Sequence, residues 1–315
     1  MPNLRFQLFV LIVTAALLQA CASAPASAPG PPTSAAPVQQ AAMAQNLVAA
    51  TDDLAMVGDI SLQMAERYGA DRVLVVFDID NTLLAMEQGL GSDQWYYWQK
   101  DLATMDPCST ALVQNLLKAQ GALFYASAMR LTQPDAAAQV RRLQDARLPV
   151  IALTSRGPEY SLQTFRELRR NGISFWPSAL PPARGYPERF IPAGGSREAL
   201  YQDGVFLTAG QHKGAMLKAL LDKTGTALPA VIVVADDKAE NLEAIMETFG
   251  KSGAHVHAWR YSAEDPNVAA LNTRQAAAQW QATLPALMIL EEVFGPDNFD
   301  LPEPAGREGC ESAAR

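Results

Sequence analysis

The sequence predicts an α/β protein built on a parallel sheet. Apolar runs at Val73–Phe77, Leu148–Leu153 and Pro229–Ala235 read as strands buried on both faces, and helical patterns separate them. Each run stops abruptly at polar residues: Asp78-Ile79-Asp80, Thr154-Ser155 and Asp236-Asp237. With right-handed crossovers the C-terminal ends of parallel strands lie along one edge, so these polar ends converge.

Around those strands the chain reads in order. Residues 44–68 carry Leu47, Val48, Leu54, Val57, Ile60, Met64 and Tyr68 close to helical spacing, which predicts one helix ended by Gly69. After Leu84 a Gly-rich loop leads to the aromatic cluster Trp95-Tyr96-Tyr97-Trp98, and a helical run is expected from Ser109 to Gln120. Residues 134–146 predict a helix into the second strand. Asn171 to Gly195 is rich in Pro, Gly and Arg and reads as irregular. Tyr201–Leu207 predicts a hairpin around Asp203-Gly204, and Ala215–Leu221 a helix. In a strand over Ala254–Tyr261, His255 and His257 share a face that is expected to be an edge or a surface. Asn272–Phe294 predicts a closing helical region interrupted or restarted at Pro285.

The 315 residues carry a formal net charge of -8 and a sequence pI of about 5.0. That argues against a nucleic-acid polymer as partner, because such a surface needs clustered Lys and Arg. A small phosphorylated substrate is compatible with it, since a metal and a few cations reverse the potential locally.

The N-terminus reads as a targeting segment. Arg5 precedes the mostly apolar stretch Phe6–Leu18, and Leu18-Gln19-Ala20-Cys21 follows. This sequence resembles a bacterial lipobox, which implies that Cys21 is lipidated and anchors the mature chain to a membrane. Cleavage of an ordinary secretory signal near Ala20–Ala24 is the other reading. Residues 21–45, mostly Ala, Ser, Pro, Thr and Gln, are expected to form a flexible tether. By resemblance to sorting in Gram-negative bacteria, Ala22 favours the periplasmic face of the outer membrane. In that oxidising space Cys108 and Cys310 can pair, or Cys108 can be a buried thiol.

The run Val73–Leu84, with its Asp-Ile-Asp-Asn-Thr segment, resembles the first motif of the haloacid dehalogenase-like hydrolases. Thr154 closing its strand, Lys213 opening a helix and Asp236-Asp237 ending a third strand match that superfamily's later motifs in order. The resemblance implies a Rossmann-like core with a small helical cap after the first strand, about residues 86–131, within a domain spanning 46–298. A polar tail over 299–315 follows. It further implies that Asp78 is the nucleophile, Asp80 the acid/base and Lys213 the cation that offsets the gathered negative charge. Thr154 would hold a phosphoryl oxygen, with Ser155 and Arg156 as neighbours. Mg²⁺ would be held by Asp78, Asp80, Asp236 and Asp237, with one backbone carbonyl of the first motif serving in place of a side chain.

The expected activity is Mg²⁺-dependent phosphomonoester hydrolysis through an aspartyl-phosphate, carried by a cell-envelope lipoprotein similar to secreted bacterial acid phosphatases. The stretch Gly91-Ser92-Asp93-Gln94-Trp95, with the first motif, also resembles a bacterial family described only as a domain of unknown function. Phosphotransfer to an acceptor alcohol, or ligand binding on an inactive scaffold, remain alternatives. The aromatic cluster could stack on a substrate ring, but most of its four side chains are expected to form the cap's own core.

Overall fold

A computed structural model describes residues 46–295. In chain order they form β1 (Asn46–Thr51), α1 (Leu54–Tyr68), β2 (Val73–Phe77), β3 (Leu84–Met86), α2 (Asp93–Met105), α3 (Leu116–Ala126) and β4 (Met129–Leu131). Then come α4 (Ala136–Asp145), β5 (Val150–Thr154), α5 (Ser161–Arg170), β6 (Leu200–Gln202) and β7 (Val205–Leu207). The remainder is α6 (Lys213–Thr224), β8 (Val231–Asp236), α7 (Ala239–Phe249), β9 (His255–Tyr261), α8 (Asp265–Ala269) and α9 (Thr273–Phe294).

Seven strands make one sheet in the order β1-β9-β8-β2-β5-β7-β6, parallel except for the β6–β7 pair. This is the Rossmann-like α/β architecture that the strand runs predict. Alternation along each strand sends side chains to two cores. Val73, Val75 and Phe77 of β2 pack with Leu54, Val57 and Ile60 of α1 and Val140 and Leu143 of α4. Leu74 and Val76 pack on the other face with Leu217 and Leu220 of α6 and Leu242 and Ile245 of α7. Each such fully buried aliphatic side chain contributes about 1.5–3 kcal/mol relative to exposure. The Asp203-Gly204 turn has φ of +46° and +80°, the pair of positive values that a two-residue hairpin of this twist requires.

Between β2 and β5 an insertion rises on the antiparallel pair β3–β4, which brackets α2 and α3. Its core joins Trp95, Val113, Ala119 and Leu123 to Ala276, Trp280 and Leu287 of α9. The last helix thus completes the insertion.

Several expectations need correction. Residues 46–51 are a sheet-edge strand paired in parallel with β9, and the helix starts at Leu54, because Asp53 accepts from the Ala55 N–H at 2.8 Å and caps it. The helix placed over 109–120 lies at Leu116–Ala126, behind turns that end at Asn115 in the left-handed region. With β1 covering β9, His257 is fully buried and not on an edge. Helix α9 runs unbroken through Pro285. The targeting segment with Cys21, the tether and the tail with Cys310 lie outside the described residues. Cys108 is disulfide-bonded and so is not a free thiol.

Gly214 opens α6 against α7, where a Cβ would land on the Ala244 carbonyl oxygen and Thr248 Oγ1. Overpacking against backbone costs about 1–3 kcal/mol. Gly214→Ala is therefore expected to lower the unfolding free energy by that amount in a denaturant titration; an unchanged midpoint would refute the close approach.

Candidate active site

The register of the sheet assembles the site. Phe77 lies opposite both Ala235 of β8 and Ala152 of β5, so Asp78 follows β2 beside Asp236, the last residue of β8. The Asp78 N–H donates to the Ala235 carbonyl at 2.9 Å. Strand β2 is central, with later strands added on both sides, and the crevice outside the strand ends at such a reversal is where ligands bind in open α/β sheets.

Lys213 joins these ends. Its ammonium stands 2.8 Å from Asp78 Oδ1 and 2.6 Å from Asp236 Oδ2, and all three residues are buried. Burial alone would lower the Lys213 pKa, but the Asp236 and Asp78 carboxylates outweigh it and hold the net shift upward. The other oxygen of Asp236 accepts from the Lys238 N–H at 3.0 Å and the Asn241 amide at 2.8 Å.

Two carboxyls are driven the opposite way from a surface aspartate. Burial pushes Asp78 up to about 7; Lys213 opposes that shift, and Asp236 and Asp80 add to it. Burial, then the charges of Asp78 and Asp236, pushes Asp237 up to about 9. Asp237 Oδ1 is buried with no hydrogen-bond partner among the described residues. Oxygens of Asp78, Asp236 and Asp237 lie within 4.8 Å of one another, a donor set of hard oxygens that could hold a divalent cation.

Asp80 lines the cavity but points its carboxylate elsewhere than this trio. It accepts a bidentate grip from Arg156, Nε to Oδ2 at 2.8 Å and Nη2 to Oδ1 at 2.7 Å. Arg156 also donates to Thr164 Oγ1 at 2.9 Å, and its guanidinium lies 4.3 Å from the Phe124 ring centroid of α3. Of the expected metal ligands, then, three side chains cluster and the fourth is held by an arginine. Thr154 is buried under the turn, its hydroxyl accepting from the Arg156 N–H at 3.2 Å, while Ser155 and Arg156 line the cavity. Asp237 is not hydrogen-bonded to Lys213; its place is with the oxygen trio.

These groups open into a cavity of about 730 Å³ beneath the insertion. The aromatic cluster divides evenly: Trp95 is fully buried and Trp98 packs against the insertion's core, whereas Tyr96 and Tyr97 line the cavity. The expectation that most of the four build the core therefore fails for two, because a helix turns successive side chains by about a quarter turn.

Sequence reasoning also missed a latch. Lys238 donates to Asp93 Oδ2 at 2.8 Å and sits 3.7 Å from the Tyr97 ring centroid, tying α2 to the turn that carries Asp236 and Asp237. Burial pushes Asp93 up against the downward pull of Lys238. Only the position of Lys238 beside Asp236-Asp237 hinted at this.

Residues 55–293 match a family model described as a protein of unknown function, DUF2608. The chain belongs to this family. A search of curated proteins gave no match. The family's matched region takes in the whole site, from Asp78 to Lys238, and the helix α9 that completes the insertion.

The raised carboxyls set a pH dependence. A carboxyl that binds its proton more tightly when folded stabilises the fold below its unfolded pKa, and that stabilisation is lost as pH rises through the folded value. In chelator the melting temperature should therefore fall as pH rises from the ordinary carboxylate range to about 7, and less steeply from there to about 9, where Asp237 alone still loses its proton. Asp237→Asn should remove the upper part of that fall in a scanning-calorimetry series, and a flat profile would contradict the burial of these charges.

Proposed function

We propose that this protein is a Mg²⁺-dependent phosphomonoester hydrolase of the haloacid dehalogenase-like type, acting through a covalent aspartyl-phosphate. The observation that carries the reading is the Lys213 bridge: one buried ammonium within 2.8 Å of Asp78 and 2.6 Å of Asp236, at the open ends of adjacent parallel strands. Such a bridge offsets charge where a nucleophilic carboxylate and a phosphoryl group must meet. The unpartnered Asp237 oxygen and the all-oxygen trio fit Mg²⁺, which would be held by Asp78, Asp236 and Asp237. When bound, Mg²⁺ supplies positive charge that keeps Asp78 ionised and neutralises phosphoryl oxygens.

In the first step an Asp78 oxygen forms a bond to phosphorus while the ester P–O bond breaks, and Asp80, turned out of the Arg156 fork at one oxygen and protonated there, gives that proton to the departing oxygen. In the second, Asp80 takes a proton from water, whose oxygen attacks phosphorus and releases phosphate from Asp78. Lys213 offsets charge through both steps, and Arg156 holds Asp80 between them. The insertion excludes bulk water from the reacting centre.

Phosphate release from a panel of phosphomonoesters, with and without Mg²⁺, tests the reading. Turnover should require Mg²⁺, vanish in Asp78→Asn, and fall at least about a hundredfold in Lys213→Gln. Metal-independent turnover, or activity surviving Asp78→Asn, would refute it.

The apolar stretch ending in Leu18-Gln19-Ala20-Cys21 supports export and a lipid anchor at Cys21, with the domain facing the periplasm. Radiolabelled palmitate should enter the chain when it is expressed in a Gram-negative host and be lost in Cys21→Ala. Label retained in that variant would exclude the anchor.

A further inference from the structure

The end of the segment that reads as irregular, together with the residues after Gly195, forms a strap along the cavity wall. Phe190 and Ala199 bridge antiparallel, with N–H to carbonyl distances of 3.0 and 2.8 Å, and the strap brings Arg189 and Arg197 to the cavity wall. A clamp holds the backbone of Arg197, whose side chain is exposed. Gln211, two residues before Lys213, accepts from the Ser196 and Arg197 N–H groups at 2.8 and 3.1 Å and donates to the Arg197 carbonyl at 3.0 Å. The same loop is tied to the Ser155-Arg156 turn, Gly210 N–H to the Ser155 carbonyl at 2.7 Å and Ala209 N–H to the Arg156 carbonyl at 3.0 Å. Arg197 is therefore held in register with the reacting centre although it belongs to none of its motifs.

Its charge has no carboxylate partner among the described residues. The guanidinium donates to the Gly210 carbonyl at 3.3 Å and makes no ion pair there. Of the cavity's carboxylates outside the reacting centre, Asp93 pairs with Lys238 at 2.8 Å and Glu198 stands 3.9 Å from Arg189, while Glu159 and Glu240 open the helical segments after β5 and β8. The wall formed by Tyr96 and Tyr97 offers cations in place of free aromatic faces. Lys100 lies 5.7 and 5.6 Å from the Tyr96 and Tyr97 centroids, and Lys238 lies 3.7 Å from Tyr97. Rings that already carry ammonium groups favour an anionic substrate body over a neutral stacked ring.

Resting on the hydrolase reading, we propose that the substrate is a phosphomonoester bearing a second anionic group, a carboxylate or another phosphate, which Arg197 receives with Arg189 beside it. Lys213 serves the group being transferred, and the strap serves the group that stays behind. A guanidinium suits either anion because its planar fork pairs with carboxylate and phosphate oxygens alike.

The test uses matched pairs of esters on the full-length protein with Mg²⁺. 3-Phosphoglycerate beside glycerol 3-phosphate reads the carboxylate arm, and fructose 1,6-bisphosphate beside fructose 6-phosphate the phosphate arm. In at least one pair the two-anion ester should show kcat/KM at least about tenfold higher, the size of one charge-assisted contact, and Arg197→Gln or Arg189→Gln should collapse that ratio. Equal handling within both pairs, or a loss in Arg197→Gln that is the same for both members, would overturn the proposal. Equilibrium binding of the same esters to Asp78→Asn separates the two readings. A two-anion preference in binding that is lost on adding Arg197→Gln, with no turnover by the native protein, would sink the hydrolase and keep the strap's role. Turnover of all esters without preference would do the reverse.

Discussion

Everything at the open end of the sheet depends on one buried ammonium between two buried carboxylates. Taking Lys213 out of water costs several kcal/mol, and only close partners offset that cost. Asp78 and Asp236 do so at 2.8 and 2.6 Å, and each is in turn placed by the register of β2 against β8. The arrangement is nonetheless short of positive charge. Three carboxylates, Asp78, Asp236 and Asp237, face one lysine, a deficit of positive charge that adds to the effect of burial in pushing Asp78 and Asp237 upward. Protons or a divalent cation can fill it, and the proposed chemistry uses the second.

The insertion is wired into this charge cluster by two cations that come from the motif turns themselves. Arg156 grips Asp80 and reaches up to the Phe124 ring of α3, and Lys238, next to Asp237, reaches up to Asp93 and Tyr97 of α2. Any displacement of α2 or α3 therefore bears on Asp80 and on the turn that bears Asp236. Helix α9 adds an apolar tie through Trp280, 6.4 Å centroid to centroid from Trp95, so the last element of the described chain helps set the roof of the cavity.

The parts of this architecture that could be read from sequence are those whose signal is local. A strand buried on both faces must be an unbroken apolar run, and a carboxylate at its end stands out; hence Asp78, Asp236 and the strands beneath them were legible. Edge strand β1 was not, because its half-buried Leu47 and exposed Val48 fit the helical spacing that truly begins at Leu54. Nor were the pairings of Arg156 with Asp80, 76 residues away, or of Lys238 with Asp93, 145 residues away, since nothing local marks either. Pro285 illustrates the converse: a local breaker signal was overridden in a helix whose Ala276, Trp280 and Leu287 are fixed by tertiary packing. The strap escaped for the same reason, its order being imposed by the Gln211 side chain and not by any periodicity of its own.

The charge balance of the whole chain gives the strap its meaning. A body of formal charge -8 repels anions, and long polyanions most of all, because they cannot avoid its surface. A cavity of about 730 Å³ whose walls carry Lys100, Arg189, Arg197 and Lys238 beside Asp93, Glu159, Glu198 and Glu240 offers an anion cationic partners at particular points only. Such a site admits anions small enough to leave the outer field behind, and low-dielectric walls strengthen each contact once water is displaced. Selection then falls to the number of anionic groups that a small substrate can offer at once. On the proposed function one meets Lys213 and the carboxylate trio at the sheet's edge, and the Arg197 guanidinium, without a carboxylate partner among the described residues, is placed to hold the next.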